Sequence, residues 1–237
     1  MFLFEDKGSQ NITQDEKNAS LTNAIDNGLY PIVSNILKEV TLNHFGKGDN
    51  DTAVAILFAV MATESRCDPN RDNPGGAKGL MQLTPICVKE LINLGQSISY
   101  ENMTIEDNIK GGIVYLNYLS NRILKDPIVK TYWKNGNYLN NISLMMSCYN
   151  NGFGAIKKMI KAKKFDQAKA KYYNDIKGFY NFWSAGDTLK KAKNVKKSPT
   201  DAAASPIKKE VYVKNNQLIS EQLLRSFIQQ ILIKSHH

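Results

Sequence analysis

The chain has 237 residues, of which 42% are hydrophobic and 22% charged, and its formal net charge is +9. These values are typical of a soluble globular protein with one sizeable core. No apolar run is long enough to span a bilayer, since residues 53–61 are too few. The basic balance favours acidic partners such as nucleic acid, anionic lipid or an anionic cell wall, although a solvated lysine-rich surface gives the same charge.

The first twenty residues are polar and predict a flexible N-terminal segment. No secretory signal is visible, because Glu5 and Asp6 directly follow the short apolar start. From residue 29 onward apolar residues recur at helical spacing, with Pro31 suited to the first turn. After a break at Gly46 and Gly48, residues 53–64 predict a largely buried helix.

A loop dense in proline and glycine, which can hold a short hairpin, is predicted over residues 68–79. Further helical patterns follow it: residues 81–94 with a break at Pro85, a helix capped by Asp107 and running through Leu119, then residues 142–149, 155–160, 165–170 and 172–183. No convincing alternating strand is present, so residues 21–187 are predicted to form one mainly α domain.

The composition changes near the end of this domain. Residues 188–210 are rich in lysine and alanine and predict a basic, flexible linker. Residues 211–237 then carry an apolar stripe at helical spacing, which predicts a C-terminal amphipathic helix. Such a helix either docks on its own domain or recruits a partner, and the sequence leaves both interpretations open.

The three cysteines, Cys67, Cys87 and Cys148, cannot all pair internally, and none has zinc-like spacing. No metal or other cofactor is therefore expected. Small buried hydrophobic side chains are the favoured interpretation. A Cys67–Cys148 disulfide is the alternative, because both residues flank the motifs described next.

Glu64 stands at the end of the predicted apolar helix, directly before the Pro/Gly-rich loop. Apolar surroundings and the negative end of the helix dipole both disfavour a charged carboxylate. A protonated glutamic acid is what a general acid needs in order to donate to a leaving oxygen. On its own, however, a glutamate at a helix end is usually a solvated surface residue.

The neighbouring motifs change that interpretation. Glu64-Ser65 is followed by Gly79-Leu80-Met81-Gln82 with Pro85, by Asn108-Ile109 with Gly112 and Tyr115, and by Cys148-Tyr149-Asn150-Asn151-Gly152. In order and spacing these motifs resemble the soluble-type lytic transglycosylase domain, a relative of goose-type lysozyme, over roughly residues 50–180. Each motif is weak alone, but their joint occurrence in this order is specific.

The resemblance implies a mainly α, lysozyme-like fold with a substrate groove and little or no strand. It implies that Glu64 is the catalytic acid, and it assigns the substrate groove to a second set of residues. This set is Ser65, Gly79, Met81, Gln82, Tyr149, Asn150 and Tyr172. The sequence departs from the family pattern at the three cysteines, and at Ala168 and Lys169 before Tyr172. For Gln82 and Asn150, amides that only stabilise turns are the alternative.

The resemblance also implies the reaction. Glu64 would protonate the oxygen between N-acetylmuramic acid and N-acetylglucosamine, and the C6 hydroxyl of the same muramic acid would then attack, leaving a 1,6-anhydromuramoyl end. Most glycosidases use two carboxylates. Asp68 and Asp72 are the nearby rivals that could activate water and make the protein a hydrolysing muramidase, although aspartates in such loops commonly serve turns.

Two other classes remain as alternatives. A non-catalytic cell-wall-binding component would keep the groove without the chemistry. A nucleic-acid binder is suggested only by the lysine cluster at 157–164, which suits an anionic wall equally well. The expected partners are peptidoglycan glycan strands in the periplasm or cell envelope. Secretion, conjugation or phage-entry machinery could contact the C-terminal tail.

Overall fold

The computed structural model describes residues 12–45, 51–166 and 171–194. Within these ranges the chain forms nine α-helices, one short 3-10 helix at Val129–Tyr132 and no strand. The helices are α1 (Gln14–Asp26), α2 (Leu29–Glu39), α3 (Asp51–Ser65), α4 (Pro85–Asn93), α5 (Ile105–Lys125), α6 (Tyr138–Asn151), α7 (Phe153–Lys161), α8 (Lys171–Ser184) and α9 (Gly186–Lys193). The prediction of a mainly helical domain is confirmed. None of these helices is both long and apolar enough to cross a membrane.

Helix α3 lies at the centre of the core. Every side chain from residue 53 to residue 62 is buried, because the helix is apolar on all faces. Helix α8 packs along it, and the ring of Phe58 stacks on the fully buried Trp183 with 4.4 Å between ring centroids. Tyr30 of α2 stacks against the same phenylalanine at 6.5 Å. The middle of α3 is therefore packed on two sides by aromatic rings of α2 and α8.

The prediction of a flexible segment over the first twenty residues was wrong for residues 14–20, which belong to helix α1. The hydroxyl of Thr13 accepts from the backbone N–H of Glu16, and the Glu16 carboxylate accepts from the backbone N–H of Thr13. This reciprocal capping box starts the helix. The helix has only a narrow buried side, formed by Ser20 and Ala24, so its apolar pattern is weak. Residues 1–11 lie outside the described part of the chain.

The start of the predicted linker was also wrong. Residues 188–193 belong to helix α9, whose Thr188, Leu189 and Ala192 are buried. The remainder of the predicted linker, from residue 195, and the predicted C-terminal helix at 211–237 lie outside the described residues. Their roles, including recruitment of a partner, stay predictions.

Two helix starts differ from the sequence prediction. Residues 81–84 are not helical, and α4 begins at Pro85 after the N-cap Thr84, whose hydroxyl accepts from the N–H of Cys87. Helix α5 is capped by Thr104 rather than by Asp107. Asp107 is the third residue of that helix, and its carboxylate completes a capping box with Thr104.

All three cysteines are free thiols, and each is buried. The Cys67–Cys148 disulfide that the sequence left as an alternative is therefore not formed. The thiol of Cys67 instead lies 3.9 Å from the backbone carbonyl of Phe58. Burial raises the pKa of Cys148 to about 12, so this thiol stays protonated at neutral pH. The cysteines act as small hydrophobic side chains of the core.

Candidate active site

Glu64 is the penultimate residue of α3, and its side chain is half-buried with Oε1 enclosed by the protein. The helix ends directly after it because Arg66 and Cys67 both adopt left-handed backbone conformations, each with φ of 58°. The chain thereby turns away from the helix axis and enters the Pro/Gly-rich loop. This carboxyl group projects from the end of the most deeply buried helix, which fixes its position.

Arg66 holds the end of α3, and this role was not predicted from the sequence. Its Nη1 donates to the carbonyls of Ala62 and Thr63 at 2.7 and 3.2 Å, which satisfies acceptors that the helix end would leave open. Its Nη2 donates to Glu16 of α1 at 2.6 Å. The signal that could have found it was a basic residue directly after a helix C-terminus, where such side chains bond the last carbonyls.

Two tyrosines lie within reach of the charge of Glu64. Burial, followed by nearby charges that include Glu64, raises the pKa of Tyr149 on α6 well above its usual value. Burial, followed by the charge of Glu64, also raises the pKa of Tyr172 on α8. Both phenols therefore stay protonated and can donate hydrogen bonds at any physiological pH. Electrostatic effects thus link Glu64 of α3 with Tyr149 of α6 and Tyr172 of α8.

Residues 79–82, here called the signature turn, form a tight loop beside Glu64. Lys78 and Leu83 close it by exchanging two backbone hydrogen bonds of 3.1 Å. Gly79 has φ of 71° and Gln82 has φ of 48°, so the turn uses left-handed backbone at both ends. Asn108 of α5 anchors it, because its Oδ1 accepts from the N–H of Met81 at 2.7 Å and its Nδ2 donates to the carbonyl of Lys78 at 3.0 Å.

Side chains from α3 and α6 hold the same turn. The hydroxyl of Ser65 lies 3.0 Å from the carbonyl of Leu80, and the hydroxyl of Tyr149 donates to the carbonyl of Met81 at 2.6 Å. Ser65, the residue after Glu64, and Tyr149 are thus both hydrogen-bonded to the signature turn. A displacement of the turn would therefore be transmitted to the surroundings of Glu64.

The residues predicted to contact substrate differ in their exposure. Ser65 and Met81 are buried, and the Nε2 of Gln82 donates to the carbonyls of Arg71 and Gly79 at 2.8 Å each. For Gln82, these bonds match the turn-stabilising alternative. Asn150 is exposed beside the half-buried Tyr149, so its amide is open to solvent. Exposure therefore leaves Asn150 as the amide best placed for a ligand.

Gly79 has no room for a side chain. A Cβ at this position would lie 2.7 Å from Nδ2 of Asn108, and the left-handed backbone is itself unfavourable for alanine. Gly79→Ala should therefore lower the free energy of unfolding by about 2–4 kcal/mol, from backbone strain and steric overlap together. Denaturant unfolding followed by circular dichroism measures this loss.

Gly95 provides the matched control, since its φ is 83° but a Cβ at that position would meet no atom within 4 Å. Gly95→Ala should lower the free energy of unfolding by only about 1 kcal/mol, the strain of the left-handed backbone alone. Equal losses for the two variants would show that the contact with Asn108 does not restrict Gly79.

The two rival carboxylates occupy different surroundings. Oδ1 of Asp68 accepts from the backbone N–H of Asn70 at 2.9 Å, the bond of an aspartate that stabilises a turn. Asp72 is exposed and lines a cavity of about 550 Å³ that also includes Lys78 and Gly79. Glu64 is not among the residues that line this cavity. In the described ranges no cluster of three or more acidic, histidine or cysteine side chains could hold a metal ion.

In this helical domain a carboxyl group lies at the end of the central helix, beside a tight turn that begins with a glycine. This is the architecture of a lysozyme-like glycan-cleaving domain. The family described as "Transglycosylase SLT domain" matches residues 45–172, which is 128 of the 237 residues. The chain belongs to this family. It is thereby of the lytic transglycosylase type, with peptidoglycan as its substrate class and the cell envelope as the place where that substrate lies. No curated protein matches the sequence.

Proposed function

We propose that the protein cleaves the β-1,4 bond between N-acetylmuramic acid and N-acetylglucosamine, with Glu64 as its one catalytic carboxyl group. The observation that carries the proposal is the position of Glu64 at the end of the buried helix α3, with Oε1 enclosed by the protein and with its charge acting on Tyr149 and Tyr172. Glycosidases use a carboxyl group to protonate the oxygen of the leaving sugar, and a position fixed by a buried helix suits that role.

The proposed reaction uses Glu64 twice. Glu64 first gives its proton to the glycosidic oxygen, the bond from that oxygen to the anomeric carbon breaks, and positive charge develops on the muramic acid ring. The C6 hydroxyl oxygen of the same ring then bonds to the anomeric carbon, and its proton passes to the Glu64 carboxylate. Glu64 is regenerated, no water is consumed, and the product ends in a 1,6-anhydromuramoyl group.

A nucleophile from the substrate removes the need for a second carboxylate. The C6 hydroxyl is already attached to the reacting ring, so its effective concentration is high. The surroundings of the rival aspartates support this scheme, because Asp68 is engaged in a turn and Asp72 is exposed on a cavity that excludes Glu64. In this proposal Asn150 contacts the sugar, whereas Ser65, Gly79, Met81 and Gln82 position the signature turn.

The products distinguish this reaction from hydrolysis. Purified sacculi digested with the full chain should release muropeptides with anhydromuramoyl ends, each lighter by one water than its hydrolytic counterpart, as measured by mass spectrometry. Reducing muramic acid ends without the anhydro form would instead identify a hydrolysing muramidase. Digestion of the same sacculi by a known hydrolytic muramidase provides the reference masses.

A further inference from the structure

The charges of the chain are strongly divided between two parts of the domain. Residues 12–120 contain eight lysines and arginines and thirteen acidic residues, whereas residues 121–166 contain nine lysines and arginines and only two aspartates. The second segment therefore carries a formal charge of +7 and the first −5, while residues 171–194 carry +3. Such a division orients a protein in the field of a polyanion.

The positive segment forms one surface, here called the basic surface, made by the end of α5, the 3-10 helix and α7 with the residues after it. The guanidinium of Arg122 lies 4.4 Å from the centroid of the Phe153 ring, which joins α5 to α7. Tyr132 of the 3-10 helix donates to the carbonyl of Phe165 at 3.2 Å. The cations of the basic surface are Arg122, Lys125, Lys130, Lys134, Lys157, Lys158, Lys161, Lys163 and Lys164.

Most of these cations face solvent. Lys157 is half-buried and forms an ion pair with Asp126 at 2.5 Å, and the same aspartate accepts from the backbone N–H groups of residues 128 and 129. The other eight basic side chains are exposed. On α7, the buried side is formed by Phe153, Ile156 and Ile160, which leaves Lys158 and Lys161 on the outer side.

The basic surface begins next to the candidate active site. Gly152 is at once the C-cap of α6 and the N-cap of α7, so α7 starts three residues after Asn150 in the chain. A polyanion that binds along α7 would therefore approach the segment that carries Tyr149 and Asn150. Residues 12–120, with a formal charge of −5, disfavour binding of the same polymer along their part of the domain.

We propose that the basic surface binds the anionic groups of the cell wall and thereby docks the enzyme on its insoluble substrate. This proposal rests on the proposed function, because it names the wall as the polyanion. The recognised chemistry is a dense array of carboxylates or phosphates, carried by the stem peptides of peptidoglycan or by phosphodiester polymers attached to it. The binding is electrostatic and weakens as salt screens it.

The test compares two fourfold lysine variants of the full chain. Lys158, Lys161, Lys163 and Lys164 are changed to glutamine in the first, whereas Lys89, Lys177, Lys190 and Lys191, exposed lysines elsewhere, are changed in the control. Co-sedimentation with purified sacculi at several salt concentrations measures binding, with Glu64→Gln added to both variants to prevent digestion. The first variant should bind about ten-fold more weakly at low salt and depend less on salt, whereas the control should match the parent.

Treated walls identify the source of the anionic groups. Hydrofluoric acid removes phosphodiester polymers, and if the two variants then bind equally, the contact is with phosphates. An amidase removes stem peptides, and if the two variants then bind equally, the contact is with carboxylates. Either result supports the proposal. A difference that persists after both treatments, or equal weakening in the two variants, would overturn it. A difference confined to duplex DNA, without any effect on sacculi, would also overturn it.

Activity separates this proposal from the proposed function. With Glu64 intact, both lysine variants should cleave short soluble glycan fragments at the parent rate, whereas only the first should digest sacculi more slowly. Absence of anhydro products from every variant would count against the proposed reaction, and would leave the binding result as a separate test of the basic surface.

Discussion

Glu64→Gln should reduce the release of muropeptides from sacculi by about 10³-fold, because the amide has no proton that it can donate to the glycosidic oxygen. The amide has nearly the same shape as the carboxylic acid, so folding and wall binding should persist. Mass spectrometry of the released fragments measures the chemistry, and co-sedimentation with sacculi measures the binding. Thermal unfolding should show that the variant is as stable as the parent.

The two aspartates of the loop serve as matched carboxylate-to-amide controls. Asp72→Asn should leave the rate within a few-fold of the parent, because this side chain is exposed and lines the 550 Å³ cavity, which Glu64 does not line. Asp68→Asn should do the same, since an asparagine Oδ1 can still accept from the N–H of Asn70. A loss at Asp72 comparable with that at Glu64 would indicate a second catalytic carboxylate and a hydrolytic reaction.

The sequence was sufficient to locate Glu64 but not to orient the residues around it. An apolar run that ends in an acidic residue before a Pro/Gly-rich loop predicts a carboxyl group at the end of a buried helix, and the structure has that arrangement. The directions of Met81 and Gln82 depend on packing between distant segments. Met81 is buried because Gly112 of α5 leaves space for it, since a Cβ there would lie 2.5 Å from the methionine Cε.

The hydrogen bond from Arg66, at the end of α3, to helix α1 could not be predicted from the sequence. Arg66 bonds to Glu16, which is fifty residues away in the chain, and no local pattern records such a pairing. Helix α1 itself was missed because its apolar pattern is weak, although the threonine at 13 and the glutamate at 16 have the spacing of a capping box. Local capping could thus have been predicted, whereas the contact between α1 and the end of α3 could not.

Tyr149→Phe should lower kcat by about 10- to 100-fold, because small displacements of catalytic geometry have effects of this size. The change removes the 2.6 Å hydrogen bond to the carbonyl of Met81, which ties the signature turn to α6 beside Glu64. The free energy of unfolding should fall by only about 1 kcal/mol, the usual contribution of one hydrogen bond. Steady-state kinetics on a soluble glycan, at a temperature where both proteins are folded, separates kcat from KM.

Tyr115→Phe removes the same group from the neighbouring ring, whose centroid lies 5.2 Å from that of Tyr149. Burial raises the pKa of Tyr115 to about 12, so it too is a protonated phenol in the parent. Within the described residues its hydroxyl makes no hydrogen bond to the signature turn, and kcat should stay within about three-fold of the parent. Equal losses for the two variants would assign the effect to general packing of the tyrosine cluster. A loss confined to Tyr149→Phe, with KM little changed, would indicate that its bond to Met81 positions the turn for the reaction of Glu64.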